Sequence, residues 1–183
     1  MDLKGSQTEK NLWDAFAGES KARNKYDFFS SAAKKEGLEQ IAGFFAETAL
    51  NEKEHAKLWL RALGGFREGK NKGDVIWNLQ NAAEGERYEW TEMYTSFSET
   101  ARQEGFEDIA RQFDEVAKIE FQHEARYNKL REQVEQDRVF KEKETQRWHC
   151  RNCGYIFEGE EAPQVCPACK HPRAFFERMQ ENY

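Results

Sequence analysis

The chain has 183 residues, 34% of them charged, with a formal net charge of −6, four cysteines and three prolines. That length suits one ordinary domain plus a small one, and the acidic balance, with no basic stripe of interleaved aromatics, argues against nucleic acid. No apolar run approaches a membrane span and the first residues lack the apolar core of a signal peptide, so a soluble cytoplasmic protein with no membrane partner is expected.

From about Thr8 to about Gln136 the chain reads as helix, with apolar residues at 3.6 spacing in four stripes. The first runs Leu12, Phe16, Glu19, Tyr26, Phe29, Ala33 and the second Leu38, Ile41, Phe45, Ala49, Glu52, His55, Trp59, Leu63. The third runs Ile76, Leu79, Ala83, Glu86, Trp90, Met93, Phe97, Ala101, and the fourth runs Phe106, Ile109, Phe113, Val116, Glu120, His123, Tyr127, Leu130, Val134. Gly37 and Gly105 mark left-handed C-terminal turns between antiparallel neighbours. A glycine-rich break over 64–73 separates the pairs, with Asp74 expected as the N-cap of the third helix. Two short turns around one longer connection predict a mainly α, ferritin-like four-helix bundle with one long crossover.

The two helix pairs form an internal repeat. At an offset of 68, Tyr26 matches Tyr94, Glu36-Gly37 matches Glu104-Gly105, and Phe45 matches Phe113. Gly18-Glu19 corresponds to Gly85-Glu86 at 67, one residue out, a slip that a π-bulge can absorb. After Val139-Phe140 a charged run, 141–147, reads as a solvated linker. From Trp148 the sequence is turn-rich and holds every cysteine and proline. Three segments are therefore expected: the bundle at 1–140, the linker at 141–147 and a small β- and turn-rich metal domain at 148–183, too short to be stable without a staple.

Glu52-x-x-His55 and Glu120-x-x-His123 interrupt the apolar stripes of helices two and four at equivalent places. Buried charge is costly unless paired or bound to metal. Helices one and three add Glu19 and Glu86 mid-stripe, and one Glu from each of two helices with Glu-x-x-His from each of the other two is a dinuclear carboxylate ligand scheme. Iron or manganese suits these donors, with zinc possible. Glu89 supplies a fifth carboxylate, and its equivalent in the first half is Ala22. Tyr26, two turns after Glu19, and Tyr94 either hydrogen-bond ligands or simply fill the bundle core.

Cys150-x-x-Cys153 and Cys166-x-x-Cys169 form two turns able to set four thiolates in a tetrahedron, as in zinc ribbons and mononuclear iron sites. Gly154-Tyr155, Pro167 and the aromatics Trp148, Tyr155, Phe157, Phe175 and Phe176 favour iron. His149 and His171 are expected outside the ligand shell, which four sulfurs complete.

Segments 18–26, 47–57 and 85–94, with Glu120–His123 and the cysteine module, resemble the rubrerythrins. That resemblance implies two irons held by Glu19, Glu52, Glu86, Glu89, Glu120 and His123, with His55 and Glu89 exchanging as ligands of one iron when the redox state changes. It implies one further iron on Cys150, Cys153, Cys166 and Cys169, and hydrogen-bonding roles for Tyr26 and Tyr94. The implied activity is a non-haem diiron peroxidase reducing hydrogen peroxide to water in anaerobic or microaerophilic cells. Electrons would come from rubredoxin or an NAD(P)H-dependent reductase, a separate protein because no nucleotide-binding fingerprint occurs here. A head-to-tail homodimer is also implied. A ferroxidase, iron-handling or oxygen-reducing role would use the same bundle, though iron storage would not require the tethered cysteine module. Lys170 departs from the glycine usual after the fourth cysteine, which sets a lysine at a turn that calls for positive φ.

Overall fold

The computed structural model describes residues 2–181; residue 1 of the expected bundle and residues 182–183 of the expected small domain lie outside the described residues. Five α-helices are followed by three strands: α1 (Gln7–Lys35), α2 (Glu39–Ala62), α3 (Lys72–Tyr88), α4 (Tyr94–Gln103), α5 (Glu107–Glu135), β1 (Lys141–Cys150), β2 (Ile156–Glu161) and β3 (Phe176–Arg178). A π-helical turn, Glu89–Met93, joins α3 to α4, so the two form one continuous rod. The molecule is therefore mainly helical with a small C-terminal strand region. It divides into two compact units, one ending at Glu68 and the other beginning at Gly69.

Local chemistry fixes the helix ends. Ser6 caps α1 by accepting from the Glu9 amide at 3.1 Å, and Glu9 accepts in return from the Gly5 amide at 2.6 Å, a reciprocal box that satisfies orphan donors. At α3 the cap is Asn71, not Asp74. Asn71 Oδ1 accepts from the Asp74 amide at 3.1 Å, while Asp74 reaches back to the Lys70 amide at 2.9 Å. The expected residue belongs to the right motif, three positions late. Each helix pair closes through a turn in which Gly37 (φ 74°) or Gly105 (φ 85°) takes the left-handed conformation. The following amide then reaches back, Leu38 to the Ala33 carbonyl at 2.9 Å and Phe106 to that of Ala101 at 2.8 Å.

In the first unit α1 packs on α2. In the second, α3, the π turn and α4 pack on α5. Among the described residues, every buried side chain of the five helices is alanine or serine. Ser30 Oγ donates to the Ala42 carbonyl at 2.9 Å, and Ser98 Oγ lies 3.2 Å from the Ala110 carbonyl. Small residues let the paired backbones approach closely, while larger rings meet across each pair, Phe29 on Phe45 at 5.5 Å and Phe97 on Phe113 at 5.8 Å.

Residues 141–147, expected as a linker, form the first part of β1 instead. The sheet has the order β2-β1-β3, with Trp148 opposite Phe157 and Arg178, and Lys141 opposite Glu161 across an irregularity in register. Polar side chains on exposed positions hide this strand from an apolar-periodicity reading, since full burial begins only at Trp148. Trp148, Cys150, Ala162, Cys166 and Phe176 form the core of the small region, covered by Phe140, Tyr155 and Phe157.

Candidate metal centres

The first unit brings Glu19 on α1 together with Glu52 and His55 on α2, with one donor atom of each within 4.8 Å of the others. His55 Nδ1 lies 2.8 Å from Glu52 Oε2 and 3.9 Å from Glu19 Oε1. The second unit repeats the arrangement with Glu86 on α3 and Glu120 and His123 on α5. Here His123 Nδ1 lies 2.7 Å from Glu120 Oε2 and 3.7 Å from Glu86 Oε2. The i,i+3 spacing puts Glu and His one turn apart on one helix face, and the partner helix brings the third donor. Each imidazole nitrogen thus converges with two carboxylate oxygens, a donor set suited to a hard or borderline cation. Each Glu-x-x-His pair thus converges with one mid-stripe glutamate, Glu19 in the first unit and Glu86 in the second.

The electrostatics of the second trio are those of acids gathered in a half-buried niche. Burial first, then the hydrogen bond and charge of Glu120, raises the Glu86 carboxyl above its usual range, while His123 works the other way. Burial, then Glu120, raises Glu89 as well. Glu89 is the first residue of the π turn and lies outside the close trio. Tyr94 is raised by burial, then by Glu89, Glu120 and Glu86, so its phenol sits among these carboxylates. Its ring packs on Phe113 at 5.9 Å, as Tyr26 packs on Phe45 at 6.2 Å. The π turn also accounts for the slip in the repeat, because Glu86 to Tyr94 spans one residue more than Glu19 to Tyr26. Sequence reasoning missed Glu124, which accepts from Trp90 Nε1 at 2.6 Å and so ties the π turn to α5. An i,i+4 acid after Glu120 on a charged helix carries no distinguishing signal.

The four thiols of the small domain cluster as expected. Cys150 Sγ lies 3.8 Å from Cys169 Sγ, and Cys153 Sγ lies 3.7 Å from Cys166 Sγ. A metal–sulfur bond of about 2.3 Å gives a tetrahedral edge of about 3.8 Å, so these separations fit thiolates around one ion and exclude disulfides. After each second cysteine the chain turns left-handed, at Gly154 (φ 80°) and at Lys170 (φ 63°). Lysine therefore adopts the conformation that glycine adopts more easily, and its Nζ donates to the Pro167 carbonyl at 3.0 Å. Each turn aims an amide at sulfur. The His171 amide is the main cause holding the Cys169 thiol down to about 6. The Tyr155 amide acts in the same sense on Cys153, but hydrogen bonding to Cys169 and burial prevail and push that thiol up to about 12. Thiols this close ionise unequally, and a bound cation removes that conflict. His149 sits 3.4 Å from Glu177, and His171 packs edge-on to Phe175 at 4.6 Å, so neither joins the sulfur cluster.

Helix pairs bearing matched carboxylate–histidine trios, followed by a ribbon with four converging thiols, define a metalloprotein of the diiron-carboxylate class with a fused rubredoxin-like module. The family model for rubrerythrin matches residues 10–131, and that for the rubrerythrin rubredoxin-like domain matches residues 148–177. Rubrerythrin of Porphyromonas gingivalis is 52% identical over 188 residues, covering 99% of this chain and 94% of that protein. Rubrerythrin-1 of Clostridium acetobutylicum and rubrerythrin of Nitratidesulfovibrio vulgaris are each 48% identical, covering 99% of this chain and 98% of the relative. The chain belongs to the rubrerythrin family, whose members are generally oxidoreductases. Its donors fit the family's cofactors, two irons on carboxylate and histidine and one on four cysteines. No described helix is long and apolar enough to cross a membrane.

Proposed function

We propose that this chain is a non-haem diiron peroxidase that reduces hydrogen peroxide to water, with electrons delivered through the four-cysteine iron. The union on one chain of two matched carboxylate–histidine trios with a four-thiolate site supports this reading above all. When bound, two ferrous ions supply one electron each, the two electrons that cleave the O–O bond; with two protons the products are two waters. Glu19, Glu52, Glu86 and Glu120 bring four negative charges to balance two divalent cations, and Glu89 adds a fifth that favours a more positive, oxidised pair. His55 and Glu89 are assigned as the exchanging ligands. Tyr94, its phenol kept protonated by burial and then by Glu89, Glu120 and Glu86, offers a hydrogen-bond donor beside those acids, and Tyr26 is assigned the same role in the first half.

The thiolate module receives electrons singly from rubredoxin or an NAD(P)H-dependent reductase. We place the reaction in the cytoplasm of an anaerobic or microaerophilic cell, as protection against oxidative stress, in a head-to-tail homodimer. Mixing anaerobically reduced protein with stoichiometric peroxide and, separately, with oxygen, while following both iron chromophores, tests the activity. Fast oxidation by peroxide and slow oxidation by oxygen is expected; the reverse order sinks the peroxidase reading in favour of an oxygen-reducing or ferroxidase one.

A further inference from the structure

We infer that the first helix pair carries a binding groove for a small planar aromatic carboxylate, on the side of the pair away from its donor trio. Ser20 follows Glu19 by one residue, and Lys53 and Ala56 so follow Glu52 and His55, which is about 100° round each helix. Between α1 and α2 on that side opens a cavity of about 430 Å³, within the range of small-molecule sites. Its lining residues all lie in the first compact unit, and none belongs to a metal-donor cluster. Three observations carry the assignment.

The first is the chemistry of the lining. It joins apolar Phe16, Leu60 and Phe66 to cationic Arg23, Lys53 and Lys57, and among the described residues no acid lines it. Lys57 lies 3.6 Å from Glu54, an exposed pair of little worth. The Arg23 and Lys53 side chains make no ion pair or hydrogen bond among the described residues. Unpaired cations beside apolar surface suit an anion with an apolar body, whose carboxylate takes charge-assisted hydrogen bonds while its ring covers the phenylalanines.

The second is that the end of the groove is built. The Gly65 amide is tied to the Leu60 carbonyl at 2.9 Å, and Gly65 leaves to the Leu60 side chain the room that a Cβ would take. This turn brings Phe66 back to Leu60. The Arg61 guanidinium then lies 5.9 Å from the Phe66 ring centre and binds Glu68 at 2.7 Å, which holds the ring in place.

The third is the internal repeat, in which the second pair fills the equivalent groove itself. Arg23 stands where the second pair has Trp90, at an offset of 67, and Lys53 and Ala56 stand where it has Phe121 and Glu124, at 68. There the Trp90 ring meets Phe121 edge-on at 5.4 Å, and its Nε1 donates to Glu124 at 2.6 Å. Aromatic rings and a carboxylate thus occupy the second groove from within. The first pair exchanges them for two cations and an alanine methyl. A ligand that restores the complement brings its own ring and its own carboxylate.

Calorimetric titration of the full-length, iron-loaded protein tests this with naphthoate as the probe. Naphthamide, which keeps the ring without the charge, and inorganic phosphate, which keeps charge without the ring, run beside it. Naphthoate is expected to bind at least about tenfold more tightly than either, and to weaken as salt screens the cations. Arg23→Gln is expected to weaken it by about tenfold, and Lys53→Phe with Ala56→Glu, which installs residues of the second pair, to abolish it. Naphthamide binding as tightly overturns the carboxylate, and phosphate binding as tightly overturns the ring. Unchanged naphthoate binding in both variants overturns the placement in this groove. No binding of naphthoate to the unmodified protein below about 10 mM overturns the inference outright, a result that no folding defect of a variant can produce.

Discussion

The two helix pairs are near copies of one device, and their differences fall beside the ligands. Both close a left-handed glycine turn, both use a buried serine on the facing alanine carbonyl, both pack tyrosine on phenylalanine, and both gather a Glu–Glu–His trio. The second pair alone inserts a residue, as the π turn at Glu89–Met93. It alone adds a carboxylate there, where the first pair has Ala22. The second pair differs from the first by one additional residue and one acid, which make the halves unequal. A π turn costs helical regularity and tends to mark functional sites.

The largest effect separates the histidines. His123→Ala removes a ligand with no substitute and is expected to cost bundle iron affinity more than the roughly 10–100-fold lost with an outer partner. His55→Ala is expected to cost less, because Glu89 is the alternative donor in the proposed exchange. Anaerobic ferrous titration checks this, and equal losses remove the assigned asymmetry. Next, Glu89→Ala makes the second pair resemble the first. Turnover with peroxide is expected to fall by about 100-fold, the scale of one lost charge-stabilising group, while the thermal midpoint holds or rises because the site no longer carries an acid that burial disfavours. A falling midpoint with turnover intact would make Glu89 structural.

The sequence carried most of this because repeats, glycine turns and cysteine spacing are local signals. The one-residue slip between Glu19 and Glu86 is the mark that a π turn leaves in the repeat. Other features depend on context that pattern does not encode. Asp137 closes α5 at φ 55° in the role glycine plays elsewhere, and its Oδ1 accepts from Lys72 Nζ at 2.6 Å. An aspartate there reads as an ordinary loop residue. Residues 141–147 pair into β1 through backbone hydrogen bonds, to which a polar run is silent.

A smaller effect tests how far the serine staples match. Ser98 Oγ also lies 2.5 Å from Asp114 Oδ1 and receives Arg102 Nη1 at 2.6 Å, a network that Ser30 lacks because Ala46 stands where Asp114 does. Each Ser→Ala change is expected to cost about 1 kcal/mol at neutral pH. The Ser98 hydroxyl, ahead of Arg102, holds the Asp114 carboxyl below its usual range. A carboxyl lowered in the folded state stabilises above its unfolded value of about 3.9 and loses that contribution as pH falls through the folded one. Denaturant melts at descending pH should therefore show the Ser98→Ala penalty shrinking below about pH 4 while that of Ser30→Ala stays flat. Parallel pH profiles would mean that Asp114 contributes nothing through the serine.

The smallest effect lies between the two cysteine turns, which differ as the helix pairs do: one motif, one unequal residue. Gly154 enters the left-handed region freely, whereas Lys170 enters it against a steric cost of roughly 1–2 kcal/mol. Lys170→Gly removes that cost but loosens the unfolded chain by roughly 0.5–1 kcal/mol and forfeits the contact with the Pro167 carbonyl. A gain of under about 1 kcal/mol is expected, seen as slower loss of the four-cysteine iron chromophore in denaturant. Gly154→Lys places the same cost on the other turn, only partly offset by the stiffer unfolded chain, and should speed that loss. If both substitutions act in the same direction, backbone conformation is not what distinguishes the turns; the lysine charge beside the thiolates is.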